Sequence, residues 1–386
     1  MAQKILYLVS EDWYFVSHRL PMARSAKAAG YEVHVATRVG DCGSQIRGEG
    51  FILHPIAWHR GSINPIHFLT TILETRSLYK QLRPDLVHHV ALVPSVVGSI
   101  AALGLPAAKL NAFAGLGYIF TSSTTKARLV RLFAAPLLRW LLKRPNTTVL
   151  VQNPDDRTAA MRLGVPPERI ALVPGSGVDI DVLTPLSEPL DPFTIGFVGR
   201  LLDDKGVQTL VRAHKILAER GVIVRALLAG APDPSNPASI PEHVLNGWRK
   251  RPNLVLLGQV DDVRTVWAQA HVGVLPSRRE GLPKSLLEAA ACGRPLIATD
   301  VPGCREIARQ GVNALLVPPD NAPALAIAIE TLMKDRDLRL RFGGASRKLV
   351  VDEFSSAQIG REIVALYSRL LAGVSALKSP LRERPA

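Results

Sequence analysis

Short apolar, β-branched runs alternate along this chain with longer stretches in which apolar residues recur every three or four positions. In the first half the runs predict strands at Ile5–Val9, Glu32–Ala36, Phe51–Ile56, Leu86–His89, Lys109–Phe113, Thr148–Gln152 and Ile170–Val173. The longer stretches predict helices over Ser17–Ala29, Ile66–Leu82, Ser95–Leu103, Lys126–Lys143 and Asp155–Leu163. Such alternation marks parallel sheets with crossover helices. It stops at Asp181–Pro192 (DVLTPLSEPLDP), where three prolines and no periodicity predict a linker. It restarts with strands at Phe193–Val198, Val224–Ala229, Val255–Leu257, Val272–Leu275, Leu296–Ala298 and Ala314–Val317, separated by helices such as Val207–Arg220, Pro283–Cys292 and Pro323–Lys334. The predicted fold class is α/β, with two Rossmann-like βαβ domains facing a central cleft. Their bounds are 1–183 and 193–354, with a further helix at 355–372 and a basic tail at 373–386. Strand C-terminal ends and domain junctions hold ligands in such folds, so the cleft is the expected site.

Composition narrows the classes. Of 386 residues, 47% are apolar and 21% charged, which excludes wholesale disorder. Aromatics make up 5%, too few for a stacking platform for single-stranded nucleic acid. Cys42, Cys292 and Cys304 form no CxxC pair, which argues against a disulfide framework and fits a reducing compartment. Residues 1–11 lack the order of a secretory signal. The longest uncharged run, Val90–Ala108, is broken by Pro94, Gly98, Gly104 and Pro106, so it reads as buried strand and helix rather than a membrane span. Net charge is +14 and uneven, with 17 Lys and Arg against 7 Asp and Glu in residues 1–144. A basic front half calls for nucleic acid, an anionic membrane or a phosphate-bearing ligand. On a helical wheel of Lys126–Arg144, Arg128, Arg131, Arg139 and Lys143 share one arc. Leu129, Val130, Phe133, Leu137, Trp140 and Leu141 take the other, and Leu132 and Leu142 intrude on the basic one. Basic residues beside an apolar strip suit an anionic membrane surface.

Two segments carry candidate chemistry. In PSRREGLPKSLLEAAACGRPLIATDVPGCRE, Gly281 and Pro283 stand between Glu280 and Glu288. Pro283 suits a first helical position, which leaves Glu280 in the preceding loop and Glu288 inside the helix. The helix N-terminus is a phosphate cradle, and the two carboxylates can accept from hydroxyls on either side of that phosphate. A nucleotide sugar has that order of groups: sugar, diphosphate, ribose. In IGFVGRLLDDKG a strand runs into Gly199, then Arg200, with Lys205 just before a helix. A guanidinium fork and an ammonium point charge suit a diphosphate leaving group.

These segments resemble glycosyltransferase family 4, the retaining enzymes of GT-B fold, over essentially the whole chain. SEDWYFVSHRLPMARSAKAAGYEVHVAT and AFAGLGYIFTSS look like the branch that extends undecaprenyl-diphosphate-linked sugars. The resemblance implies that Glu280 contacts the donor sugar and Glu288 the ribose. Arg200 and Lys205 would hold the diphosphate, next to Gly199, and the Gly281, Leu282, Pro283 and Ser285 backbone would cap it. It implies retention by a front-face route, in which the leaving phosphate takes the acceptor proton and no enzyme nucleophile is needed. It also implies that the final helix crosses back to the front domain. His18, heading the first helix after strand one, is a candidate ligand contact. So is His89 at the end of strand four, where alternation lets only one of His88 and His89 face the cleft. Gly117, after strand five, suits close backbone approach to a ligand. GLGYIF lacks the third glycine of a dinucleotide fingerprint.

The DxD triplets Asp179–Asp181 and Asp335–Asp337 read as chance, and no metal or other cofactor is expected. The expected partners are a nucleotide sugar, UDP-linked by preference, an undecaprenyl-diphosphate-linked acceptor, and an anionic membrane surface met through 126–144 on the cytoplasmic face. The competing readings are a GT-B nucleotide-sugar epimerase and a basic nucleic-acid-binding protein. The latter lacks a recognised binding motif.

Overall fold

A computed structural model describes residues 2–58, 64–113, 135–234 and 236–378. They fall into two compact units. The chain passes from the first to the second between Ser176 and Gly177 and returns between Ser355 and Ser356.

The first unit is built on a parallel sheet of strands β1 Lys4–Glu11, β2 Glu32–Arg38, β3 Ile52–Pro55, β4 Leu86–Val90, β5 Ala108–Ala112, β6 Thr147–Val151 and β7 Ile170–Leu172. Their order is β3-β2-β1-β4-β5-β6-β7. Both faces are covered, so β1, β4, β5 and β6 are buried almost end to end, as near-continuous apolar strands of a parallel sheet should be. On one face lies the final helix, Ser356–Lys378, packed on the helix Leu20–Ala28. Ile359, Ile363, Leu366, Tyr367, Leu371 and Val374 recur at helical spacing and are all buried. Each contributes about 1.5–3 kcal/mol where fully buried. Gly360 permits the contact, because a Cβ there would stand 2.1 Å from Ser25 Oγ. The Tyr367 hydroxyl meets the Tyr7 hydroxyl at 2.8 Å and His88 Nδ1 at 2.7 Å, tying this last helix to β1 and β4.

The second unit carries β8 Thr194–Val198, β9 Arg225–Ala229, β10 Leu254–Gly258, β11 Val272–Leu275, β12 Leu296–Thr299 and β13 Ala314–Val317, in the order β10-β9-β8-β11-β12-β13. All registered pairs in both sheets are parallel. Where the chain enters and leaves this unit, Val178 N donates to Phe354 O at 3.0 Å.

Several sequence expectations are corrected. Asp181–Pro192 is not a free linker and the division does not fall at residue 183. Leu183 is buried in the second unit's core, Arg347 donates to Leu183 O at 2.6 Å and Ile180 O at 3.0 Å, and Glu188 meets Arg339 at 2.6 Å. Proline richness removed the periodicity without removing the packing. The first helix is two helices, Asp12–His18 and Leu20–Ala28. Pro21 has no N–H for an i→i−4 bond, so the first helix cannot run through it. His18 therefore ends a helix rather than heading one. The helix expected at 355–372 is Ser356–Lys378, parted from Arg336–Glu353 at Phe354–Ser355.

The basic amphipathic stretch lies partly outside the described residues. Of its described part, 135–142 is helical. Leu138, Leu141 and Leu142 are buried, Leu138 and Leu142 in one cluster with Val149 and Val151, while Leu137 and Trp140 face outward at 40% and 44% exposure beside the exposed Arg139 and Lys143. Arg144 stacks over the Trp140 ring at 3.7 Å. The wheel had set Leu137 and Trp140 opposite the basic arc. Among the described residues no helix is long and apolar enough to cross a membrane.

Candidate active site

The order of the second sheet reverses beside β8, whose neighbours are β9 and β11. A crevice at such a switch point, outside the strand C-terminal ends, is where open α/β sheets bind ligands. The loops that leave β8 and β11 there carry the candidate residues.

After β8 the chain makes one 3-10 turn, Asp203–Lys205, closed by Gly206 at φ 69°. A Cβ at Gly206 would stand 1.8 Å from Pro276 O, so the turn lies directly on the loop leaving β11. This approach brings Lys205 Nζ to 2.6 Å from Glu280 Oε1. Ser277 Oγ donates to the same oxygen at 2.7 Å. Ser277 is itself fully buried, and its carbonyl accepts from Thr299 Oγ1 on β12. From the other side Gly303, at φ 79°, approaches Gly281 so closely that a Cβ would stand 2.4 Å from Gly281 O. Glu280 is thus an oriented carboxylate held by one cation and one hydroxyl.

Arg200 follows Gly199 at the end of β8, and its guanidinium donates to Asp233 Oδ2 at 2.8 Å. Gly230 lets the ends of β8 and β9 close together, since a Cβ there would stand 1.9 Å from Gly199 O. The helix after Glu280 is Lys284–Ala291, with buried Pro283 as N-cap and no side-chain capping bond. Its leading N–H groups, those of Lys284 and Ser285, suit an anion. Glu288 sits inside this helix, buried, with Lys284 Nζ 3.4 Å from Oε1. Burial pushes its carboxyl above the usual range, and Lys284 pulls it part of the way back. A cation, a helix start and two flanking carboxylates can together hold a phosphate and accept from hydroxyls on each side.

The structure therefore brings Lys205 and Glu280 into contact. It sets Gly199, Arg200, Gly281, Leu282, Pro283, Ser285 and Glu288 on the loops and helix around them. The front-half candidates belong to the first unit. His18, in the first unit, is half-buried and stacks on Tyr14 with ring centroids 4.3 Å apart. His89 is fully buried, its Nδ1 against Asn111 Oδ1 at 2.7 Å and its Nε2 against the Tyr79 hydroxyl at 3.0 Å. A Cβ at Gly98 would stand 2.4 Å from its ring, so the imidazole is a packed core group. Gly117 lies outside the described residues. The first acid of each DxD triplet serves local structure: Asp179 Oδ1 accepts from the backbone of Asp181 and Val182, and Asp335 caps Arg336–Glu353. Among the described residues no group of three or more His, Cys, Asp or Glu side chains could hold a metal ion. Sequence reading missed Asp203, Asp204, Arg278 and Arg279, whose ion pairs join the same two loops. Their opposite charges at matching loop positions were the available signal.

The buried histidines set a pH dependence. Burial holds the His89 pKa down at about 4 and that of His88 well below its ordinary value. Above about pH 6.5 neither the folded nor the unfolded chain protonates these rings, so their contribution is intact. As pH falls from there toward 4, the unfolded chain takes up protons that the folded one refuses, and stability drops by up to about 1.4 kcal/mol per pH unit for each ring. Urea midpoints between pH 7 and 4.5 should fall less steeply for His89→Gln than for the parent. Equal slopes would show that His89 is not held neutral.

Comparison with known proteins fits the geometry. Residues 4–153 match the family described as "Glycosyl transferase 4-like", and residues 192–335 match "Glycosyl transferases group 1". The chain is 34% identical over 181 residues, 47% of each chain, to the capsular polysaccharide biosynthesis glycosyltransferase CapM of Staphylococcus aureus. It is 26% identical over 372 residues, 92% of this chain and 96% of the other, to a Campylobacter jejuni enzyme. That enzyme is named as an N,N'-diacetylbacillosaminyl-diphospho-undecaprenol alpha-1,3-N-acetylgalactosaminyltransferase. The solved structure of Anabaena HepE in complex with UDP and glucose superposes with a TM-score of 0.74 at 18% identity, covering 95% of this chain and 99% of that one. Two parallel sheets with their crossover helices, two family matches that together cover most of the sequence, and a phosphate-ready switch point in the second sheet lead to one conclusion. This chain is a glycosyltransferase of the GT-B fold and belongs to the glycosyltransferases with a 4-like front domain and a group 1 rear domain.

Proposed function

We propose that the chain transfers a hexosyl or N-acetylhexosaminyl group, with retention, from a UDP-sugar to a saccharide carried on undecaprenyl diphosphate. The Lys205–Glu280 contact beside the start of Lys284–Ala291 carries this reading, because it joins an ammonium and a sugar-hydroxyl acceptor at a helix N-terminus. The acceptor class is supported by the name of the C. jejuni relative, and the uridine nucleotide by the UDP held in the Anabaena protein. When the donor binds, Lys205 leaves Glu280 for the diphosphate and Arg200 leaves Asp233. Glu280 turns to the sugar hydroxyls and Glu288 accepts from the ribose. The bond from the anomeric carbon to the diphosphate oxygen then breaks. The acceptor oxygen bonds to that carbon on the same face, and its proton passes to the departing phosphate. Lys205 and Arg200 stabilise the charge that develops there, a task a divalent metal performs in other nucleotide-sugar enzymes, so no metal or other cofactor is needed. The outward Leu137 and Trp140, beside Arg139 and Lys143, suit docking on the cytoplasmic face of an anionic membrane, where the lipid-linked acceptor lies.

A thermal-shift panel of UDP-, GDP-, ADP- and dTDP-sugars tests the donor. A ligand at about 100 times its dissociation constant stabilises the native state by about 2.7 kcal/mol, so UDP-sugars should raise Tm by several degrees. Glu288→Gln should weaken UDP binding by about tenfold, the scale of one charged hydrogen bond. No shift with any nucleotide sugar would overturn the reading.

A further inference from the structure

We infer that Asp203–Asp204–Lys205 and Arg278–Arg279–Glu280 form a charge-inverted clamp in which Asp203, Asp204, Arg278 and Arg279 position the two side chains that meet the donor. Each residue of the first triplet pairs with the residue in the same place in the second. Asp203 meets Arg278, Asp204 meets Arg279 at 2.7 Å, and Lys205 meets Glu280 at 2.6 Å. The backbone joins in, with Arg278 N donating to Asp204 O at 2.9 Å. Arg278 also reaches both carboxylate oxygens of Asp320, in the loop after β13, at 2.9 Å. The inference rests on the donor-site reading of Lys205 and Glu280 and names what holds that pair in place.

The order of signs makes the pairing specific. The loops leave the neighbouring parallel strands β8 and β11 and run past each other in step. A slip of one residue in one direction sets Lys205 against Arg279, and in the other it sets Asp204 against Glu280. Either slip puts like charges together, which is unfavourable. The outer pairs are about 40% exposed on each side, whereas Lys205 is 25% and Glu280 9% exposed. Exposed ion pairs contribute little to stability, so the outer two act chiefly on geometry. The inner pair is the one a diphosphate opens. While Lys205 is drawn to the ligand, the outer pairs keep both loops in register and Ser277 keeps hold of Glu280.

Isothermal titration with UDP on the full chain tests this, using Asp204→Arg, Arg279→Asp, the double swap and Lys205→Ala. Small misplacements of ligand-gripping groups cost up to about 100-fold, so each single reversal should weaken UDP binding at least tenfold while Tm stays within a few degrees. The double swap should bring affinity back to within about threefold, because paired sites couple where independent ones add. A pair that merely supports the fold would lower Tm in the singles and regain it in the double swap, whereas here Tm stays level and affinity moves. Single reversals that bind UDP normally while Lys205→Ala does not, or a double swap no better than the singles, would overturn the clamp. Normal binding by Lys205→Ala would instead overturn the donor-site reading beneath it.

Discussion

Lys205→Ala should lower kcat/KM for sugar transfer by about 10³-fold, and Glu280→Ala by a comparable factor, the scale on which charge-stabilising groups act in water-poor sites. The two losses have different origins. Without Lys205 the diphosphate loses its point charge both when bound and when leaving, so KM for the donor rises and kcat falls. Without Glu280 the sugar loses a hydroxyl partner, and Lys205 and Ser277 lose the oxygen they share at 2.6 and 2.7 Å. The fold should survive both, since these side chains sit on loops beyond the strand ends and the neighbouring ion pairs remain. Transfer of radiolabelled sugar into a lipid-extractable product, with far-UV circular dichroism in parallel, checks this. Turnover within tenfold of the parent for either variant would remove the assignment.

Gly206→Ala should be among the most damaging single methyls in the second unit. The backbone at φ 69° is strained for any L side chain, at about 1–2 kcal/mol. The added carbon would also stand 1.8 Å from a backbone carbonyl, which cannot rotate away as a flexible side chain can. The turn must then lift from Pro276, and Lys205 with it. We expect a loss of about 3–5 kcal/mol, at the upper end for a single substitution. UDP binding should weaken at least 100-fold. Gly221→Ala is the control, with φ 74° and nothing within 4 Å of the new carbon, so it should cost only the backbone strain. Denaturation midpoints and UDP titrations separate the two; equal losses would mean that the turn does not bear on Pro276.

Much of the architecture was legible because parallel sheets bury both faces. Runs such as ILYLV and LVHHV stand out against their flanks, and the strands fall within about two residues of where the apolar pattern sets them. Lys205, Glu280 and Glu288 were legible because a glycine or proline fixes the element boundary beside each. What failed did so for identifiable reasons. The pairing of Asp203 and Asp204 with Arg278 and Arg279 joins residues 75 positions apart, so no local window contains it. His89 sits where strand alternation allows it to face a ligand, but Tyr79 and Asn111 had already occupied both ring nitrogens. The packing of Leu183 was hidden because prolines carry no period.

The return of the last helix to the first unit has a consequence for synthesis. The second unit is one uninterrupted stretch whose ends meet at Val178 and Phe354, so every residue it needs is present once that stretch has emerged from the ribosome. The first unit, although begun earlier, lacks the covering of Ile359, Ile363 and Tyr367 until the whole of the second unit has been made. The nascent chain therefore completes its second-born half first, and its first-born half waits, one sheet face open, for the helix Ser356–Lys378 to be made.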